Sequence, residues 1–175
     1  MKKVLFELIL TSILSLTGLV ANAQKITGTF APLAKEARVQ MNVDFSEALI
    51  MGMSEEEFAD FEEDWTHDKV EIVSLFSDNA NDVLGGSPVV GNYKMDTEYT
   101  LDLVVRTVDV RGNYDCDLYL IHNLADGRRE EIAKAEGVYA RGGKIGTKLN
   151  LMKDGAKHTG KELGKFLKKE MKSGR

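Results

Sequence analysis

The chain has 175 residues, 43% of them hydrophobic, with 28 acidic side chains against 23 lysines and arginines and a net charge of −5. That length is one domain's worth, enough to bury a core without covalent staples. The acidic balance argues against a general nucleic-acid binder, and the single cysteine, Cys116, excludes an internal disulfide.

The first residues read as an export signal. Lys2 and Lys3 precede an apolar run over residues 4–20, and Ala21-Asn22-Ala23 supplies the small residues of a cleavage site before Gln24. Glu7, Thr11, Ser12, Ser15 and Thr17 interrupt the run, which falls short of the ~20 predominantly apolar residues that a membrane span needs. Residues 1–23 are therefore assigned to a signal peptide and the protein to the periplasm or the extracellular medium, with no transmembrane span expected after signal removal. No cysteine follows the cleavage site, so no lipid anchor is expected. Residues 24–37, which contain Pro32, read as a leader, and residues 38–175 as a single α+β domain.

Residues 39–50 open that domain. Val39, Met41, Val43 and Phe45 alternate with Gln40, Asn42, Asp44 and Ser46, the period of a half-buried strand. Ser54 then stands three residues before Glu57, a capping box, with Glu55 and Glu56 at the positive end of the helix dipole. Phe58, Phe61, Trp65, Ile72, Phe76 and Val83 follow on helical spacing until Gly85-Gly86. One long helix over residues 54–84 is the simplest reading, with Thr66-His67-Asp68 as the place where it divides if it divides.

From Tyr99 the period becomes two. Leu101, Leu103 and Val105 share one face and Val108 and Val110 the other, so a bulge is predicted near Arg106-Thr107. Gly112-Asn113 and Asp126-Gly127 mark two tight turns, which predicts a three-strand antiparallel meander over residues 99–138. Cys116 shares a face with Tyr114, Leu118 and Leu120 and reads as a small buried hydrophobe.

Between the meander and the last helix lies "ARGGKIGTKLN", residues 140–150. A phosphate-binding loop requires G-x-x-x-x-G-K-[ST]. Counting from Gly142 puts Thr147 where the second glycine belongs, counting from Gly143 puts Lys148 there, and Gly146 is followed by Thr147. The pattern fails, so the glycines read as a sharp exit from the strand into a closely packed helix over residues 150–172. On that helix Ala156, Gly160 and Gly164 recur at i, i+4. Each helical glycine costs about 1 kcal/mol relative to alanine, so such a stripe implies a close backbone neighbour. The small face of Ala133, Ala135 and Gly137 on the third meander strand is the predicted partner.

Charge is distributed unevenly. Residues 44–82 carry thirteen acids and one base, Lys69, whereas Lys153, Lys157, Lys161, Lys165 and Lys169 recur at i, i+4 along the last helix. The lysine row is a possible docking surface, and attraction between the acidic and basic helices, within one chain or between subunits, is an equal reading. Chemistry is less well represented. His67, His122 and His158 are scattered without a metal-ligand motif. Asp115 and Asp117 share a strand face, a spacing a glycosidase pair uses, but their parity sets them opposite His122. No nucleophile stands in an identifiable relation to a base, so no catalytic residue, metal or cofactor is assigned.

The stretch "VQMNVDFSEALIMGMSEEEF", the long helix, the meander and "GGKIGTKLNLMKDGAKHTGKELGKFLKK" together resemble secreted proteins of Bacteroidetes-type bacteria. More distantly, the order of elements resembles the periplasmic α/β domains of the CsgG, LpoB and TolB N-terminal type. That resemblance implies a non-catalytic protein that assists assembly or regulation of envelope machinery through protein contacts. The absent lipidation cysteine departs from the CsgG and LpoB pattern and removes outer-membrane anchoring from what is implied. The expectation is thus an α+β domain, its mixed or antiparallel sheet and three-strand meander covered by two long amphipathic helices. It would serve as an interaction module whose partner is an envelope protein or a second copy. The competing classes are a small-ligand carrier and a secreted hydrolase, which require an apolar pocket or a convergent set of polar side chains.

Overall fold

The computed structural model of the protein describes residues 24–92, 94, 96–143 and 145–173. The signal peptide assigned to residues 1–23 lies outside them. In chain order the elements are strand β1 (Lys25–Gly28), a 3-10 turn (Ala31–Lys35), β2 (Arg38–Asp44) and β3 (Leu49–Ile50). Helices α1 (Glu55–Phe61) and α2 (Trp65–Leu84) follow, then β4 (Val89–Gly91), β5 (Tyr99–Val108), β6 (Tyr114–Asn123), β7 (Arg129–Ala140) and helix α3 (Lys148–Ser173). The architecture is α+β: a mixed sheet, built around the antiparallel meander β5-β6-β7, with the helices packed against it.

The strand order is β1-β7-β6-β5-β2-β4, with β3 alongside β5. The meander strands and β1 pair antiparallel, whereas β2 pairs parallel with β5 and β4. Register follows the apolar alternation: Met41 faces Leu101, which faces Leu120, which faces Ala133. The predicted bulge sits between Val105 and Thr107. These side chains form the floor of the core, and Ile72, Phe76, Ala80, Met152, Leu163 and Leu167 of α2 and α3 form its roof. Burial of that shared surface is the main favourable term for the fold.

Residues 24–37, read as a leader, are built into this core. Strand β1 pairs with residues 133–136 of β7, Leu33 is fully buried, and Phe30 meets the Phe166 ring edge-on at 5.1 Å. A four-residue edge strand with one half-buried side chain, Ile26, has no period to detect. Its hydrogen-bonding partner, β7, supplies the order.

The single helix predicted over residues 54–84 is two helices, and the break falls at residues 62–64, earlier than Thr66. The reason lies in the aromatic packing. Phe58 and Trp65 stack edge-to-face with ring centroids 5.0 Å apart. An unbroken helix would hold these residues ~10.5 Å apart along its axis. The Trp65 indole also donates to Glu55 at 3.2 Å, and Lys69 closes an ion pair with the same carboxylate. The capping box forms as predicted, with Ser54 and Glu57 bonding each other's backbone N–H.

Candidate docking surface

Helices α2 and α3 run parallel, since their contacts advance together along both chains: Lys153 meets Asp68 and Glu71, Gly160 lies on Phe76, and Gly164 lies on Ala80. A β-carbon on Gly160 would stand 2.5 Å from the Phe76 carbonyl oxygen, and one on Gly164 would stand 2.7 Å from that of Ala80. Ala156 is fully buried one turn earlier. The glycine stripe was expected to rest on β7; its close neighbour is α2. Helix α3 does press on the meander, but through Gly155, where a β-carbon would meet the Gly112 carbonyl oxygen at 1.7 Å.

The same contact accounts for the loop over residues 140–147. The Gly142 N–H donates to the Asn113 side chain at 2.6 Å, and a β-carbon there would meet the Arg111 and Gly112 carbonyl oxygens. Asn113 is in turn held by Asp109, which accepts from its backbone and its amide. The glycine-rich segment is thus clamped onto the β5-β6 turn.

The α2–α3 packing also divides the lysine row. At 3.6 residues per turn, each step of four residues advances the side chain by about 40° around the helix. Side-chain exposure follows that drift, from 20% at Lys153 to 47% at Lys157, 62% at Lys165 and 77% at Lys169. Lys153 faces α2 and bridges Asp68 at 3.2 Å and Glu71 at 2.6 Å. Its hydrogen bond holds the Glu71 carboxyl below the usual value, and the two acids raise the ammonium of Lys153. The remaining four point outward. Lys157 and Lys165 bridge Asp154 and Glu162 one turn back on α3, Lys169 lies 3.5 Å from its neighbour Glu170, and Lys161 makes no ion pair among the described residues. Lys168, outside the predicted row, donates to the Val83 carbonyl oxygen at 2.9 Å, where the end of the α2 dipole favours a cation.

The face of the sheet away from α2 and α3 is polar, and several of its charged side chains pair with one another. Asn42 donates to Asp102, which also accepts from Arg129; Arg106 bridges Asp117 and bonds the Tyr119 hydroxyl; Lys134 links Asp117 and Glu136. Asp115 is shifted upward by burial and by the Asp117 charge, with Arg106 opposing. His122 stacks on Tyr99 at 5.1 Å near the far end of β6 and lies 3.5 Å from Glu98, so it does not join the two aspartates. Two shallow clefts of about 500 and 550 Å³ flank that end, lined mainly by polar side chains including Glu36, Arg38, Asp96, Glu98 and His122. Cys116 is fully buried, and burial pushes its thiol well above the ordinary range, which leaves it protonated.

Among the described residues, no helix is long and apolar enough to cross a membrane. No family model matches the chain, and no curated protein matches it. Solved structures of PelC share a distant structural resemblance. The PelC dodecamer from Paraburkholderia phytofirmans is 14% identical, over 81% of this chain and 98% of that chain, with a TM-score of 0.46. A single-substitution variant of that dodecamer is 17% identical, over 81% of this chain and 96% of that one, with a TM-score of 0.45.

Proposed function

We propose that this chain is a non-catalytic interaction module of the cell envelope, exported by its first 23 residues and docking through the outer face of α3. The observation that carries the reading is the exposed row of Lys157, Lys161, Lys165 and Lys169, of which Lys157, Lys165 and Lys169 pair only with acids of the same helix and Lys161 with none among the described residues. Ion pairs between neighbours on an exposed helix contribute little, about 0.3–0.5 kcal/mol each, so an incoming acidic surface displaces them at small cost. A row of like charge steers such a surface during encounter. The polar sheet face supports the same reading from the other side, because Asp102, Arg106, Asp117, Lys134 and Glu136 are taken up in ion pairs there and Asp115 lies apart from His122, at the opposite end of β6.

Crosslinking in cells that make the protein, followed by mass spectrometry, tests the proposal. Wild type should retain an acidic envelope partner that Lys157→Glu, Lys161→Glu, Lys165→Glu loses. Recovery of one background set by both chains overturns the docking surface. Turnover of a glycan or peptide by the purified protein overturns the non-catalytic reading.

A further inference from the structure

Large apolar side chains are exposed at one end of the fold. Among the described residues they are Leu49, Phe61, Val70, Val110, Tyr139 and Ile145. Leu49 pairs with Thr107 near the end of β5, Tyr139 pairs with Asp115 near the start of β6, and Val110 is in the turn between those two strands. Ile145 belongs to the loop that Gly142 clamps onto that turn, Phe61 lies under Lys148 at the start of α3, and Val70 is in the second turn of α2, which starts beside α3. The opposite end carries the two polar clefts. Single exposed apolar side chains are ordinary; their collection at one end marks an interaction site.

Val110, 67% exposed, and Ile145, 94% exposed, are the most exposed of the six. Both lie in loops, and the loops are held together: Gly142 donates to the Asn113 side chain, and Asn113 donates to Asp109. Arg111 and Arg141 flank them, exposed and without an ion pair among the described residues. Of the nearby acids, Asp109 is engaged by Asn113 and by the Arg111 backbone N–H, and Asp154, beside Gly143, is paired with Lys157. The start of β1 points to the same end. Lys25 stands opposite Glu136 and Gly28 opposite Ala133, so β1 runs away from this end and residues 1–23 join it on the side that faces it. With the apolar run over residues 4–20 in a bilayer, as an export signal requires, this is the end held toward the membrane.

We infer that this end of the domain rests on a lipid bilayer, with Val110 and Ile145 entering among the headgroups and Arg111 and Arg141 meeting lipid phosphates. The inference goes beyond the docking reading and uses none of the α3 lysines. Exposed apolar side chains on loops suit a fluid surface, which needs no matching cavity to receive them, and basic side chains beside them are drawn to an anionic headgroup layer. The exposed acids Glu56, Asp60 and Glu63 lie on or next to α1, so the inserting part is limited to the two clamped loops. The contact is peripheral, since no helix among the described residues is long and apolar enough to cross a membrane.

Cosedimentation of the purified mature chain with vesicles of phosphatidylethanolamine and phosphatidylglycerol tests this. Wild type should pellet with the vesicles, and Val110→Asp with Ile145→Asp should weaken binding about tenfold or more, because each loses a buried aliphatic side chain. Lys161→Glu with Lys165→Glu should bind as wild type does. Circular dichroism checks that each variant is folded. Ile145→Trp gives a second reading: its emission should shift to the blue on binding and be quenched by lipids brominated on their acyl chains, against the constant background of buried Trp65. Wild type that stays in solution with vesicles overturns the inference. So does binding that the double aspartate variant keeps or the lysine variant loses, and so does an indole at position 145 that the brominated chains leave unquenched. Cellular crosslinking reads the lysine row, so it stands or falls separately.

Discussion

Gly164 of α3 lies against Ala80 of α2 so closely that a β-carbon added to the glycine would stand 2.7 Å from the Ala80 carbonyl oxygen. The obstacle is backbone, which cannot rotate aside. Gly160 stands in the same relation to Phe76 one turn earlier. Alanine at either position gains about 1 kcal/mol of helix propensity but forces the helices apart, at a cost of about 1–3 kcal/mol. Gly160→Ala and Gly164→Ala should therefore each lower the denaturation midpoint, and the leucine variants should lower it further. A midpoint raised by alanine at both positions would show that the helices are not in close contact there.

The Phe58–Trp65 contact gives a spectroscopic test of the helix break. Trp65 is the one tryptophan of the chain, and it is buried against Phe58. Phe58→Ala should cost about 3–5 kcal/mol and shift the Trp65 emission to the red as water reaches the indole. Unchanged emission in a folded variant would mean that α1 does not cover Trp65.

Tyr114 and Thr159 are buried hydroxyl residues without a hydrogen-bond partner among the described residues. Tyr114 keeps its ring contacts, edge-on to Phe76 at 5.1 Å and to Phe45 at 6.5 Å, whether or not it carries oxygen. An unsatisfied buried hydroxyl costs about 1–3 kcal/mol. Tyr114→Phe should raise the unfolding free energy by about that amount, and Thr159→Val should act in the same direction. Destabilisation by Tyr114→Phe, measured by urea unfolding, would show that the hydroxyl has found a partner.

The ion pair between Lys153 and Glu71 sets the sign of a pH dependence. The hydrogen bond from Lys153 lowers the Glu71 carboxyl, so its contribution is complete above the unfolded value, about 4.3, and disappears as pH falls through the lower folded value. Lys153 is raised, so its share is complete below about 10.4 and is lost as pH rises through the folded value. Glu71→Gln should destabilise the protein near pH 7 and converge with wild type as pH falls through the lowered folded value of Glu71. Parallel stability curves for the two chains over that range would remove the pair from the acid dependence.

The elements with an internal period were legible in advance. Strand alternation at Leu101, Leu103 and Val105, the turns at Gly112-Asn113 and Asp126-Gly127, the bulge beside Arg106 and the Ser54–Glu57 box all follow from local geometry, which residue order states directly. Strand β1 and the three-residue β4 were not legible, because their order comes from pairing with β7 and β2. The break at residues 62–64 was hidden for a related reason: Phe58 and Trp65 fit the helical period, yet their rings meet only if the helix stops.

For the candidate surface, the amino-acid sequence by itself determined that five lysines recur every four residues on one helix and that an acid-rich stretch, residues 44–82, lies far back in the chain. Only the tertiary structure decided which of them meet. Four residues exceed one helical turn by about 40°, so a row that looks straight in the sequence winds around α3. Lys153 is carried against α2 and paired within the molecule, whereas Lys157, Lys161, Lys165 and Lys169 are carried outward. The glycines obey the same rule: their spacing announced a close neighbour, but that neighbour is α2, whose identity depends on how two helices distant in sequence cross over one sheet.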